Sequence, residues 1–506
     1  MPFQLIRLAL YPSPKSMTQI TKYCFIIFMV CIGLQSCAKH VYQEEPVNFA
    51  RMFTEINSWT IDNPELNRFL EENGMLANEL ISNVFTINRL FLTGLFYDPE
   101  MQVAYKKWKQ AKIVVDHSDY KINPKISLPF EHHSDNTDTS NLWTIGSVLS
   151  FIYERKSKQE ARKAKAEVTL LNASLKIKQL ALERYGLFEE RYHQYIVQQA
   201  TISELRNEIN ILKELLAQLK KQFELGAVSQ FELNSTKLEL QQGVFQLTVQ
   251  ENNLQDRVDE LLAMTHLAYP ELDEINIATI SPLLFANSEY KESEYISAEF
   301  ADLQKIMLEN HLDMAIALNQ YALSEADLRL KIEKQYPDIV LSPGFIFDQS
   351  DNIWSLGASW VLPLFENTEQ NLNILAALEE RKIKRQKIIV LQKELLSALY
   401  KIHRSIMRQK KAIQVSDEII DSIELRANEI QTQIDIGGID GVALLKNRKA
   451  FYKARQEQIA VYNNAINAML EMDHLLQSSH SELNINDVLA SWLKLIEERS
   501  NNELVN

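Results

Sequence analysis

The sequence predicts a mostly α-helical protein made of one unit used twice, in which a long helical hairpin is joined to a β-hairpin. Three observations carry that reading. Glycine-marked turns recur 211 residues apart: Phe223-Glu-Leu-Gly226-Ala-Val-Ser229-Gln-Phe231-Glu232-Leu233 and Ile434-Asp-Ile-Gly437-Gly438-Ile-Asp440-Gly441-Val442-Ala443-Leu444. Each follows an apolar heptad, with Ile202, Leu205, Ile209, Leu212, Leu216, Leu219 and Phe223 in one copy and Ile420, Ile423, Ala427, Ile430 and Ile434 in the other. Spacings that alternate three and four make a narrow seam for one partner helix, so each descending helix pairs with the one that ascends after its turn. Ahead of each long helix the apolar period drops to two, over about 124–153 and 337–365, as in a β-hairpin.

Composition narrows the class further. The chain has 506 residues but only 12 glycines and 13 prolines, too few for a loop-rich fold. A net charge of -14 argues against nucleic acid as a partner, since phosphate binding needs a basic surface. The basic stretch from Arg155 to Lys165 is soon balanced by acids and reads as a helix start near a membrane surface.

All three cysteines, Cys24, Cys31 and Cys37, lie in the first 37 residues, which leaves the rest of the chain without a thiol for disulfides, zinc or catalysis. Around them, Lys22 precedes an apolar run of about eleven residues, short of the roughly 20 a membrane-spanning helix needs. Residues 1–36 therefore read as a leader, with Met17 a plausible true start. Leu34-Gln35-Ser36-Cys37 resembles the bacterial lipobox, whose cysteine takes a diacylglycerol and becomes the new N-terminus; Gln35 is bulkier than usual there, and the alternative is a simple cleaved leader. Residues 37–62 would then be the anchored N-terminal segment. Ala38 in place of aspartate implies sorting to the outer membrane.

The first repeat is expected over 63–263. Asn63-Pro64-Glu65-Leu66 and Asp98-Pro99-Glu100-Met101 each start a helix with proline in the first turn, where its missing N–H costs nothing. From Pro124 to Glu131 apolar residues alternate, and after a polar loop the large residues of Trp143 to Tyr153 fall on odd positions. Residues 264–300 read as an irregular linker. The second repeat follows over 301–477, with strands at Ile339 to Phe347 and Trp354 to Phe365. In the last of these one face is oily and the other carries Ser355, Gly357 and Ser359, which suits lipid on one side and water on the other, or a soluble hairpin packed on a helix. Trp143, Tyr153, Trp354, Trp360 and Phe365 are candidate membrane-interface aromatics. Residues 478–506 form a tail with one short helix. Pro124 matches Pro337 and Met101 matches Met314 at an offset of 213, whereas Trp143 matches Trp354 at 211, so the two-residue change falls in the hairpin loop.

Taken in order and duplicated at constant spacing behind a lipobox, these motifs resemble the TolC family of bacterial outer-membrane channels from about Asn63 to Gln477. The Tyr336-Pro337-Asp338-Ile339 strand start and the Leu362-Pro363-Leu364-Phe365 strand end add to the likeness. The resemblance implies a homotrimer in which each subunit gives four strands to a twelve-stranded barrel in outer-membrane lipid, continued by a periplasmic α-helical barrel. It also implies a periplasmic adaptor protein docked on the helical tips and an inner-membrane transporter behind it, of the resistance-nodulation-division (RND) or the ABC type. On that likeness Gly226, Ser229, Glu232 and Leu233, with Gly437, Gly438, Asp440, Gly441 and Leu444, form the tips; an ordinary helical turn would use the same glycines. The sequence departs from the family in two places. Positions that carry acids at the mouth of its best-known member fall on Ala443 and Lys446, leaving Glu232 to supply an acidic ring, and Leu149-Ser-Phe-Ile-Tyr153 lacks the proline of the second strand end.

No nucleophile motif, phosphate loop or metal-spaced cluster is present in the sequence, so neither an enzyme nor a cofactor is expected. The adjacent His132 and His133 point to opposite sides of a strand and make a poor chelate. The expected function is a passive exit duct for a tripartite efflux pump or a type I secretion system. The alternative is a lipid-anchored coiled-coil scaffold that conducts nothing; alternating strands with aromatic ends argue against it.

Overall fold

The computed structural model describes Tyr42, Glu44 and residues 46–133, 143–278, 298–348, 351–362, 364–365, 368–477 and 484–503. Cys37, the leader, the lipobox, most of the first hairpin loop and Pro363 lie outside the described residues. The chain divides into two units, Met1–Ile56 and Asn57–Asn506. Among the described residues of the first, Phe49 opens a helix with no buried residue.

In the second unit the main helices are α1 (Pro64–Glu72), α2 (Ile87–Tyr97), α3 (Pro99–Asp116), α4 (Lys156–Glu224), α5 (Gln230–Ala263), α6 (Phe300–Asn310), α7 (Leu312–Glu333), α8 (Glu369–Asp435), α9 (Gly441–Leu476) and α10 (Ile485–Glu503). The sheet strands are β1 (Lys125–Ser127), β2 (Phe130–His132), β3 (Trp143–Tyr153), β4 (Ile339–Asp348) and β5 (Asp351–Ser359). At 1.5 Å per residue the 69 residues of α4 and the 67 of α8 each reach roughly 100 Å. No proline interrupts either helix. Caps fix where helices begin: Asn63 accepts from Glu65 N at 2.9 Å, and Asp98 from Glu100 N at 2.7 Å.

Helix packing reproduces the duplication. α4 pairs with α5 and α8 with α9, while α9 also lies along α4, and α7 lies along both α4 and α8. Toward the turns the helices run side by side in the order α5, α4, α9, α8; toward the strands the order is α3, α4, α7, α8. Because α4 has neighbours on two sides, its buried surface is wider than the predicted seam. Ile211 and Leu215 are buried, although neither belongs to the heptad, whereas Phe223 is exposed. On α8, with one flank open, only Ile420 of the five seam residues is buried.

Three further expectations are corrected or refined by the packing. Residues 264–278 are not an irregular linker: Asn276–Ile277 pairs in parallel with Val84–Phe85, and Leu267, Ile275 and Ile277 enter the main core. The helix expected in the 478–506 tail is present as α10, but it is docked: Val488, Leu489, Trp492, Leu495 and Ile496 are buried in that same core with Phe69, Phe96 and Tyr105. Each such fully buried side chain contributes about 1.5–3 kcal/mol. Finally, the first strand is split in two. Pro129 has no N–H to continue the ladder, and its carbonyl accepts from Gly146 N at 2.9 Å between β1 and β2.

Candidate functional site at the helical tips and the strand sheet

β1 and β2 both pair with β3, so they occupy one edge of an antiparallel sheet that continues through β4 to β5. The register sorts its two faces. One face carries Phe130, Ile145, Phe347, Phe151, Leu341 and Leu356 and is largely apolar, with Ser147 and Asn352 as polar members. The opposite face carries Ser127, Gly146, Gly344 and Ser355, and Ser150 Oγ lies 3.0 Å from Ser342 Oγ. Val148, Ile152 and Ile346 share this second face, which is therefore mixed rather than polar throughout. Strands of 11, 10 and 9 residues match the length a tilted membrane strand needs.

At the loop end of the second face one row crosses β2, β3, β4 and β5: Glu131, Thr144, Asp348 and Asp351 are successive cross-strand partners. Thr144 donates to the Asp348 carboxylate, and His133 Nε2 is 2.9 Å from the same hydroxyl. Asp348 directly opposite Asp351 sets like charges side by side, which costs stability in a sheet.

The aromatic candidates separate toward the two ends. Trp143 begins β3 at the loop end, with its ring 4.7 Å from Phe130 and 4.3 Å from His132. Trp354 lies against Phe345 at 4.8 Å, and Tyr153 ends β3 at the helix end. Trp360 and Phe365 are exposed but lie beyond the strand, which stops at Ser359 rather than at 365. Ser359 pairs with Val340 near the start of β4, so β5 runs out of partner at that point.

At the other end of the long helices the two turns have the same build. Gly226 has φ +77°, its N–H donates to Phe223 O at 2.9 Å, and Ala227 N donates to Gln222 O at 2.8 Å. Gly437 repeats this at φ +75°, with its N–H on Ile434 O at 2.9 Å and Gly438 N on Gln433 O at 2.8 Å. This is the Schellman termination, in which glycine takes the left-handed conformation that a Cβ resists. Ser229 then caps α5 through Glu232 N at 3.2 Å, and Asp440 caps α9 through Val442 N at 3.0 Å. Gly441 is the first residue of α9.

Side chains lock the tips together. Gln222 Nε2 donates to Asp440 Oδ2 at 2.6 Å, Lys446 Nζ meets Glu232 Oε1 at 2.7 Å, and Lys449 Nζ meets Glu239 Oε2 at 2.7 Å. Glu232 is therefore held by a cation from the second repeat and is not the isolated acid expected for a ring. Leu233 packs with Leu215, Leu219 and Val442, and Leu445 joins this cluster, whereas Leu444 does not. Sequence reading missed Leu445 because a one-residue step on a helix turns a side chain by about 100°. Leu225 and Ile436, at matching places in the two turns, are left exposed.

No helix among the described residues is long and apolar enough to cross a membrane, and no cluster there is built to hold a metal ion. No family model and no curated protein matches the sequence. Solved structures do. VceC, an outer membrane protein of Vibrio cholerae, aligns over 78% of this chain and 97% of its own, with a TM-score of 0.61 and 13% identity. The CmeC outer membrane channel of Campylobacter jejuni aligns over 90% of this chain and 98% of its own, with a TM-score of 0.57 and 13% identity. CusC, described for its transmembrane channel formation, gives a TM-score of 0.57 at 14% identity, over 77% of this chain and 91% of its own.

The chain has the fold of an outer-membrane channel. At such identities the likeness is one of fold, a mostly α-helical architecture with a β-sheet region shared with these solved structures.

Proposed function

We propose that the protein is a trimeric outer-membrane exit duct of a tripartite efflux pump or a type I secretion system. The observation that carries this reading is the sheet: one largely apolar face, one mixed face with a polar row, and two edges without a strand partner among the described residues, on β1/β2 and β5. Unpaired strand edges cannot persist in lipid, and four strands are too few to close on themselves. Three copies of this four-stranded wall would make a twelve-stranded barrel, and three copies of the helical row would continue it as a tunnel.

In this reading Cys37 is the lipid anchor, the exposed Leu225 and Ile436 at the tips face a periplasmic adaptor, and an inner-membrane RND or ABC transporter supplies the energy. The chain itself performs no catalysis and binds no cofactor; it is a passive conduit. Purified protein reconstituted in planar bilayers should show discrete channel steps and migrate as a heat-sensitive trimer. A water-soluble monomer without conductance would overturn the proposal.

A further inference from the structure

The two repeats have the same build but use their flanks differently. Within the chain, α4 of the first repeat is joined to α7 and α9 of the second. The equivalent flanks, α8 on one side and α3 with α5 on the other, carry exposed apolar residues instead. The shared turn geometry fixes the correspondence. Residues of α4 and α5 map onto α8 and α9 at the 211-residue offset of Gly226 and Gly437, and α3 maps onto α7 at 213, since Asp98 and His311 are the matching N-caps.

Each joint inside the chain can therefore be translated into the residues that stand at the open flanks, and in three of the four contacts below polar partners become apolar ones. Arg455 lies 3.9 Å from Glu204 across the α4–α9 joint; the matching residues are Val244 and Val415, each 46% exposed. Gln456 Nε2 donates to Glu208 Oε2 at 2.7 Å; the matching residues are Phe245 and Ile419, 65% and 49% exposed. Lys165 and Asp327 pair at 2.5 Å across the α4–α7 joint, and their counterparts are Ala376 and Val114. Lys158 and Asp338 pair at 2.9 Å, and their counterparts are Glu369 and Lys125, the same ion pair with its charges swapped.

We infer that Val244 and Phe245 of one copy dock on Val415 and Ile419 of a second copy, in the register of the internal α4–α9 joint, with Lys125 meeting Glu369 near the membrane. This rests on the trimeric duct reading and adds the register and chemistry of its joints. Val415 and Ile419, with Ala412 and Val461, form the apolar part of a groove of about 450 Å³, and Arg408, Lys411 and Glu457 also line it; the apolar part offers a seat for Phe245. The exchange of chemistry also explains how the joints stay distinct. Docking the apolar flank of α5 on the polar stripe of α4 would bury Glu204 and Glu208 without Arg455 and Gln456, and an unpaired buried charge is strongly unfavourable. Apolar contact between copies then drives association, while polar contact within the chain sets its own register.

The test is cross-linking of the full-length chain carrying Phe245→Cys and Ile419→Cys with a short bis-maleimide, alongside each single variant and the shifted pair Phe245→Cys and Arg426→Cys. Light scattering on the same samples measures assembly independently. The inferred register requires a covalent dimer and trimer ladder from the first pair alone. A trimer by scattering that cross-links only in the shifted pair would overturn the register and leave the duct reading standing; absence of any oligomer would overturn both. Lys125→Glu should lower the trimer fraction severalfold and Glu369→Lys added to it should restore it, and a double variant no better than the single would remove the swapped ion pair from the joint.

Discussion

Lys446 of the second repeat closes on Glu232 of the first at 2.7 Å, joining two helical tips that lie more than two hundred residues apart in sequence. Both side chains remain partly exposed, so the pair contributes less than about 1 kcal/mol to stability. On the proposed duct reading, its effect should fall on the mouth instead. Lys446→Glu would set two acids against each other in every copy and loosen the tips. The expected result is larger or leakier conductance in planar bilayers with an unchanged melting temperature, reversed when Glu232→Lys is added. Failure of the charge-swapped double variant to close again would show that the pair does not hold the mouth.

Gly94 of α2 sits where no side chain fits. A Cβ there would lie 2.6 Å from the carbonyl oxygen of Met264 and 2.7 Å from Phe188 Cζ. The first of these atoms is backbone and cannot swing aside, so Gly94→Ala must push α2 away from the end of α5. Overpacking of this kind costs about 1–3 kcal/mol. Denaturant unfolding should register that loss, whereas Gly74→Ala, whose Cβ would meet nothing within 4 Å, carries only the strain of its positive φ. Equal losses in the two variants would refute the packing explanation.

Sequence reading was strongest where structure is local. The Gly226 and Gly437 turns, the helix start at Asp98-Pro99 and the alternation through Trp143 to Tyr153 all depend on neighbours a few residues away, and the chain turns or pairs at those places. What escaped depends on distant partners. α10 looks like an isolated amphipathic helix until Phe69 and Tyr105 surround it, and Glu232 looks like a solvated acid until Lys446 arrives from the other repeat. The break at Pro129 was visible in principle, since proline cannot donate in mid-strand, but alternating apolar residues on both sides masked it. At the tips, the side of α9 that faces inward is set by α4, which local pattern does not reveal; hence Leu445 rather than Leu444 enters the cluster.

His193 on α4 is buried, and burial pulls its pKa down to about 4 even though Asn463 Oδ1, 3.1 Å from Nε2, acts in the opposite sense. Burial also lowers His311, where Nδ1 accepts the Asp313 N–H at 3.2 Å, and His474. For His193 the folded value lies below the ordinary 6.5 of the unfolded chain. Above pH 6.5 both states are neutral and the ring has no pH-dependent effect. As pH falls from 6.5 toward 4 the unfolded chain takes up the proton first, so stability declines by an amount that reaches about 3 kcal/mol below the folded pKa. His193→Gln should therefore flatten the fall in stability between pH 6.5 and 4, measured by denaturant midpoints across that range. An unchanged slope would place the acid sensitivity elsewhere.

Trp492 is wholly buried although it lies in the last helix, with its ring edge-on to Tyr105 at a centroid distance of 6.3 Å. Around it, Arg68 pairs with Glu498 at 2.7 Å, Lys112 pairs with Glu497 at 3.1 Å, and Arg499 pairs with Glu65, all at the surface. These two kinds of contact predict separate magnitudes. Trp492→Ala empties the centre of the core and should cost about 3–5 kcal/mol, whereas Glu497→Gln should cost less than about 1 kcal/mol. Since Trp492 Nε1 finds no hydrogen-bond partner among the described residues, the indole serves as bulk, and Trp492→Phe should recover a large part of what Ala loses. Thermal and denaturant unfolding of the three variants measure the order. If Glu497→Gln proved as damaging as Trp492→Ala, α10 would be held by its surface ion pairs and not by its buried face.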